Sequence, residues 1–116
     1  MRARSGFVSN SSSCSFIITN TSSDQKTLVD FVKENEHLIA AYLRRYNWHD
    51  EDDPPITLEN MIKSAEQIGT TFPPGIGKKC VFGDEDGTMV GQVYDYMLRD
   101  GGMSKSFTWD FHKMLR

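Results

Sequence analysis

A chain of 116 residues has room for one hydrophobic core and not two. Hydrophobic residues at 38%, charged residues at 25% and aromatic residues at 11% lie near globular averages, which excludes the disordered and collagenous classes. A formal net charge of −3 gives no overall drive toward nucleic acid, and no run approaches the roughly 18 to 20 apolar residues of a membrane-spanning helix.

The chain opens with a serine-rich tract, six serines in the eleven positions from Ser5 to Ser15, which leads directly into Phe16-Ile17-Ile18-Thr19. That apolar, β-branched run between polar turn formers predicts a buried strand over 16–19. Ser22 or Ser23 is then placed to cap a helix, with Asp24 in its first turn. Leu28, Phe31, Val32, Asn35, Leu38, Ile39, Tyr42, Leu43 and Tyr46 recur at helical spacing, so the stretch reads as one long amphipathic helix or two short ones broken near Asn35.

An acidic and proline loop over 47–56 follows, because Pro54-Pro55 cannot continue a helix and the charges before it repel one another. Thr57 can cap a helix carrying Leu58, Met61, Ile62 and Ala65, with Gly69 as its terminator. After the connector 70–77, Lys79-Cys80-Val81-Phe82 reads as a strand. Asp84-Glu85-Asp86-Gly87 makes a turn. Thr88 can cap a third helix with Val90, Val93, Tyr94, Met97 and Leu98 on one face, ended by Gly101-Gly102. Finally, Phe107, Trp109 and Phe111 alternate with Thr108, Asp110 and His112, the period of a half-buried strand whose three aromatics face the core. The expected fold is a single α+β domain over 1–116, in the order β-α-α-β-α-β, with three strands under helices on one face.

Chemistry-bearing residues are few. Cys14 and Cys80 are too few for a disulfide framework, and neither sits in a CxxC pair, so two reduced thiols in a cytoplasm are expected. Arg2, Arg4 and the Ser-Cys end of the tract hint at a lipoprotein signal. The polar run Ser9 to Ser13 stands where its apolar stretch would have to be, so export is not expected. The sequons Asn10-Ser11-Ser12 and Asn20-Thr21-Ser22 then read as polar loop residues. Ser9, Asn10, Ser11, Ser12, Ser13 and Cys14 form the one candidate binding element. Consecutive small residues can wrap an anion with backbone N–H groups and hydroxyls, although the Gly-Lys-Ser/Thr end of a phosphate loop is absent. A nucleophilic Cys14 would need a base, and the sequence places none of His37, His49 and His112 beside it. The acidic runs His49 to Asp53 and Asp84 to Gly87 lack the spacing of a calcium loop and read as solvated turns. A base-stacking role for Phe107, Trp109 and Phe111 would need more basic charge than this chain carries.

The stretch Arg4, Phe7, Val8, Ser9, Asn10, Ser11, Ser12, Ser13, Ser15, Phe16 and Ile17 resembles the opening of many small uncharacterised bacterial and bacteriophage proteins. These begin with a basic residue or two, Phe-Val-Ser/Thr-Asn, a run of serines, and Phe-Ile or Phe-Val. The resemblance covers about a fifth of the chain and carries no activity with it. It implies that residues 1–15 are an ordered N-terminal loop and not a linker. Cys14 stands where the pattern usually has serine, which argues against an indispensable thiol there.

The expected function is that of a small non-enzymatic accessory protein that binds another protein, in a host cytoplasm or a virion, with no catalytic residues, no metal, no cofactor and no nucleic-acid or membrane partner. The alternative is an enzyme or sensor that holds a phosphorylated small ligand through the Asn/Ser loop.

Overall fold

Eight residues, Ser13–Asn20, form β1, and the sheet grows outward from it. The computed structural model describes residues 13–45, 55–83 and 88–115. Within them β1 pairs antiparallel with β4 (Gly77–Gly83) on one side and β6 (Phe107–Leu115) on the other. The two-residue β5 (Gly102–Met103) adds to the far side of β6, so the order is β4-β1-β6-β5. A separate pairing joins β2 (Lys26–Thr27) to β3 (Thr71–Phe72). Four helices are present among the described residues: α1 (Leu28–Glu34), α2 (Glu36–Arg45), α3 (Leu58–Ile68) and α4 (Met89–Met97). None is long and apolar enough to cross a membrane.

Because side chains alternate across a pleated strand, the register sorts the sheet into two faces. One face carries the rows Phe82-Cys14-Met114, Cys80-Phe16-Phe111 and Lys78-Ile18-Trp109, and the helices pack on it. The other carries Val81-Ser15-Lys113, Lys79-Ile17-Asp110 and Gly77-Thr19-Thr108-Met103, a mixture of polar and apolar side chains suited to water. The core is largely aromatic. Phe31 of α1 stands with its ring centroid 5.1 to 5.3 Å from those of Phe107, Trp109 and Tyr94, each in an edge-on contact. Gly102 is required by this packing, since a Cβ there would come within 2.7 Å of the Trp109 ring.

The α+β class is as expected, but the described residues hold more elements than the six predicted, with six strands and four helices among them. The three added strands are two residues long, too short to leave a periodic signature. The long helix divides at Asn35, whose N–H and side-chain amide both bond to the Phe31 carbonyl. The α1 cap is not Ser22 or Ser23. Thr27 takes that place, its hydroxyl accepting from the Asp30 N–H while the Asp30 carboxylate accepts from the Thr27 N–H. Thr57 and Thr88 cap α3 and α4 as expected, and Gly69 ends α3 at φ 75°. Gly101-Gly102 do not end α4, which stops at Met97; they turn the chain into β5. Phe107 and Trp109 are buried, whereas Phe111 is 42% exposed, on a part of β6 that β5 does not reach. Leu43, placed on the apolar stripe by spacing, is 43% exposed near the end of α2.

The serine tract also differs from expectation at its described end. Ser13, Cys14 and Ser15 belong to β1 and not to a loop, because strands on both sides supply their backbone partners. Of the acidic and proline loop, residues 47–54 lie outside the described residues, and Pro55 and Ile56 lead into α3.

Candidate functional site

Of the six residues singled out by sequence, Ser9, Asn10, Ser11 and Ser12 lie outside the described residues. Ser13 opens β1 opposite Gly83 and Leu115. Cys14 is fully buried on the core face. Burial first, and then a hydrogen bond to the Asp95 carboxylate, push its thiol up to about 11, with the Arg99 guanidinium opposing. It is therefore protonated at neutral pH and a poor nucleophile. Arg99 is itself committed, with Nη2 3.2 Å from Asp95 Oδ1, Nε donating to the Asp95 carbonyl at 2.7 Å, and the guanidinium 4.9 Å over the Tyr96 ring. The charge beside Cys14 is thus internally matched. Cys80, also buried, has its thiol pushed up to about 11 by desolvation. The two cysteines are diagonal neighbours, since Cys14 faces Phe82 and Cys80 faces Phe16. Diagonal pairs stand roughly 7 to 8 Å apart, beyond the reach of a disulfide without backbone movement.

A serine and a histidine that the sequence separates by nearly the whole chain do meet. Ser15 Oγ lies 2.9 Å from His112 Nδ1 and 3.3 Å from the Lys113 carbonyl, at the point where the β1–β6 register slips between Ser15 and Phe16. A catalytic serine must be reachable, and Ser15 has no exposed surface. Among the described residues no carboxylate hydrogen-bonds to His112 to orient the ring. The pair instead satisfies the polar groups of a β-bulge.

Two polar clusters that sequence reasoning missed hold the opposite end of the sheet. Asn20 is buried and fully engaged: its amide donates to the carbonyls of Asp24 (2.7 Å) and Phe72 (2.8 Å), and its oxygen accepts from the N–H (2.9 Å) and hydroxyl (2.7 Å) of Ser22. Its carbonyl accepts from Gly75 N–H at 2.7 Å. One residue therefore joins β1, the turn after it and β3. The same amide nitrogen would be the acceptor of the second sequon, and it is out of reach in the folded chain. Nearby, the Glu34 carboxylate accepts from the Ser104 hydroxyl and from the Ser106 N–H at 2.6 Å. Burial would raise the Glu34 pKa, but these donors, together with the Ser106 hydroxyl and the Lys26 charge, outweigh it and hold the group below its ordinary value.

Among the described residues β6 beyond Trp109 and the whole of β4 have no strand on their outer side, and of these β4 has a groove beside it. β4 ends the sheet order, so alternate residues turn their N–H and C=O groups away from β1, and among the described residues no strand takes them up. A groove of about 330 Å³ runs along this edge, lined by five consecutive residues, Lys78 to Phe82, and by Ile68, Thr70 and Thr88 across from them. Lys78 reaches over part of it, its Nζ donating to the Thr71 carbonyl at 2.8 Å. Ile68 and Val81 are 39% and 40% exposed beside it. The strand was legible in sequence; that it is an edge was not, because strand order is set by pairings far apart in the chain. No group of three or more metal-ligating side chains comes together among the described residues, and the acidic runs 49–53 and 84–87 lie outside them. Comparison of the chain with family models, with curated proteins and with solved structures finds no match.

Proposed function

We propose that this chain is a small accessory protein that works by binding another protein. The observation that supports the reading is the unpaired outer edge of β4 with its groove, a surface that can take up a partner's main chain directly. The Ser15–His112 pair and the Cys14–Asp95–Arg99 cluster, the two arrangements most like chemistry, are a bulge lock and a buried, charge-matched contact. By the resemblance of its opening, the partner is to be sought in a bacterial cell or a phage particle. The rival, a sensor or enzyme for a phosphorylated ligand held by Ser9 to Cys14, meets at Cys14 a buried thiol against a carboxylate, a poor neighbour for an anion.

Affinity capture of the full chain from its native cell or virion, followed by mass spectrometry and reconstitution with the purified candidate, tests this. A protein that re-forms a stoichiometric complex supports the proposal. A phosphorylated small compound that co-purifies repeatedly, with no such protein, overturns it in favour of the rival.

A further inference from the structure

We infer that the outer edge of β4 accepts an extended, acidic segment of the partner as a fifth strand of the sheet. The inference rests on the protein-binding reading and adds where the partner sits and what it looks like. Strand addition needs an edge with free main-chain groups, room beside it for a second backbone, and side-chain features that select the incoming strand. The edge spans seven residues, Gly77–Gly83, and the groove follows five of them, a length of about 16 Å at the usual rise per residue. Its volume suits two or three residues and not a whole small domain.

Selection comes from charge. Lys78 and Lys79 are adjacent, so the pleat sends one to each face of the edge, and a strand laid alongside meets an ammonium on both. Among the described residues neither lysine pairs with a carboxylate. Lys78 uses one of its three donors on the Thr71 carbonyl. Lysines on a bare edge are also a common guard against aggregation. Here the edge is backed by a groove whose far wall offers Ile68, with Val81 half-exposed beside it, which a guarded edge has no need of. The same lysines select against a second copy of this chain. Antiparallel pairing of two β4 edges about their lysines would set Lys78 opposite Lys79 of the other molecule, like charges face to face. Carboxylates alternating with aliphatic side chains match both the lysines and the apolar wall.

The test is titration of the ¹⁵N-labelled full chain with an eight-residue peptide of alternating valine and glutamate, and separately with its valine–lysine counterpart, followed by amide shifts and exchange rates. The inference predicts shifts and slowed exchange concentrated in residues 78–82 with the glutamate peptide. It also predicts binding at least about tenfold tighter than the lysine peptide's, weakened by salt. Lys79→Glu, at an exposed position whose fold is checked by its thermal transition, should remove that preference. Equal binding of both peptides, or shifts elsewhere with β4 silent, overturns it. Shifts in β4 that grow with protein concentration alone overturn it in favour of self-association. A reconstituted partner complex that is indifferent to Lys79→Glu leaves the protein-binding reading standing and removes this one.

Discussion

The corner around Asn20 and the outer edge of β4 are both places where the sheet runs out of regular neighbours, and they meet the problem in opposite ways. At the corner, one buried amide makes four side-chain hydrogen bonds, and the Glu34 carboxylate ties down the β5–β6 turn beside it. At the edge, backbone groups face outward beside a groove and two lysines with no carboxylate partner among the described residues. Buried polar groups are costly unless satisfied, so the corner is where substitutions should cost stability. Exposed groups are satisfied by water in the free protein and can be exchanged for a partner's at little cost, so substitutions at the edge should affect binding and leave the fold alone.

The largest effect is expected at the aromatic core that backs the corner. Trp109→Ala should lower unfolding free energy by about 3 to 5 kcal/mol in chemical denaturation, since the side chain is buried against Phe31 and Gly102. A cost below about 1 kcal/mol would mean that the tryptophan is not a core residue. Asn20→Ala should cost about 1 to 3 kcal/mol, because the buried Phe72 carbonyl loses its donor, while the part-buried Asp24 carbonyl keeps the Ser22 hydroxyl. If it behaved like a surface change, the contrast between corner and edge would be broken.

Glu34→Gln sharpens the corner's electrostatics. The variant keeps an acceptor but loses the charge that strengthens both bonds, for a cost of about 1 kcal/mol at neutral pH. The folded-state pKa is depressed, so this contribution is complete above the ordinary carboxylate value of 4.5 and is lost as pH falls through the lower folded value. Stability curves of the two proteins should therefore converge on the acid side. Curves that stayed parallel through that range would show that the carboxylate charge is not what the serines recognise.

Much of the corner and of the core was open to sequence reasoning in principle. Thr57, Gly69 and Thr88 are legible as caps because their signals are local: a hydroxyl residue just before an apolar helical stripe, a glycine just after one. Thr27 was missed although Thr27-Leu28-Val29-Asp30 is a capping-box pattern, because the preceding Ser22, Ser23 and Asp24 offered an equally good local cap. Ser22 instead serves Asn20, whose burial depends on Phe72, 52 positions away, and no local pattern reports that. The early start of β1 at Ser13 has the same origin, since serine there pairs with residues from both later strands. The candidate binding surface was the least legible part, for an edge is defined by the strand that is not beside it.

The smallest stability effect is expected at that edge. Lys79→Glu should change unfolding free energy by no more than about 0.5 kcal/mol, as for other exposed positions away from packing. A larger cost would show that the lysine supports the fold, and that the edge is not free for a partner.

Amide hydrogen exchange of the free chain, residue by residue, tests most directly whether the β4 edge is open. In β1, hydrogen-bonded on both sides, the amides should all be protected to a similar degree. In β4, protection should alternate along 78–82, with the inward amides slow and the outward amides exchanging orders of magnitude faster. Uniformly slow exchange along β4 in a monomeric sample would mean that the edge is already covered, and would contradict the account.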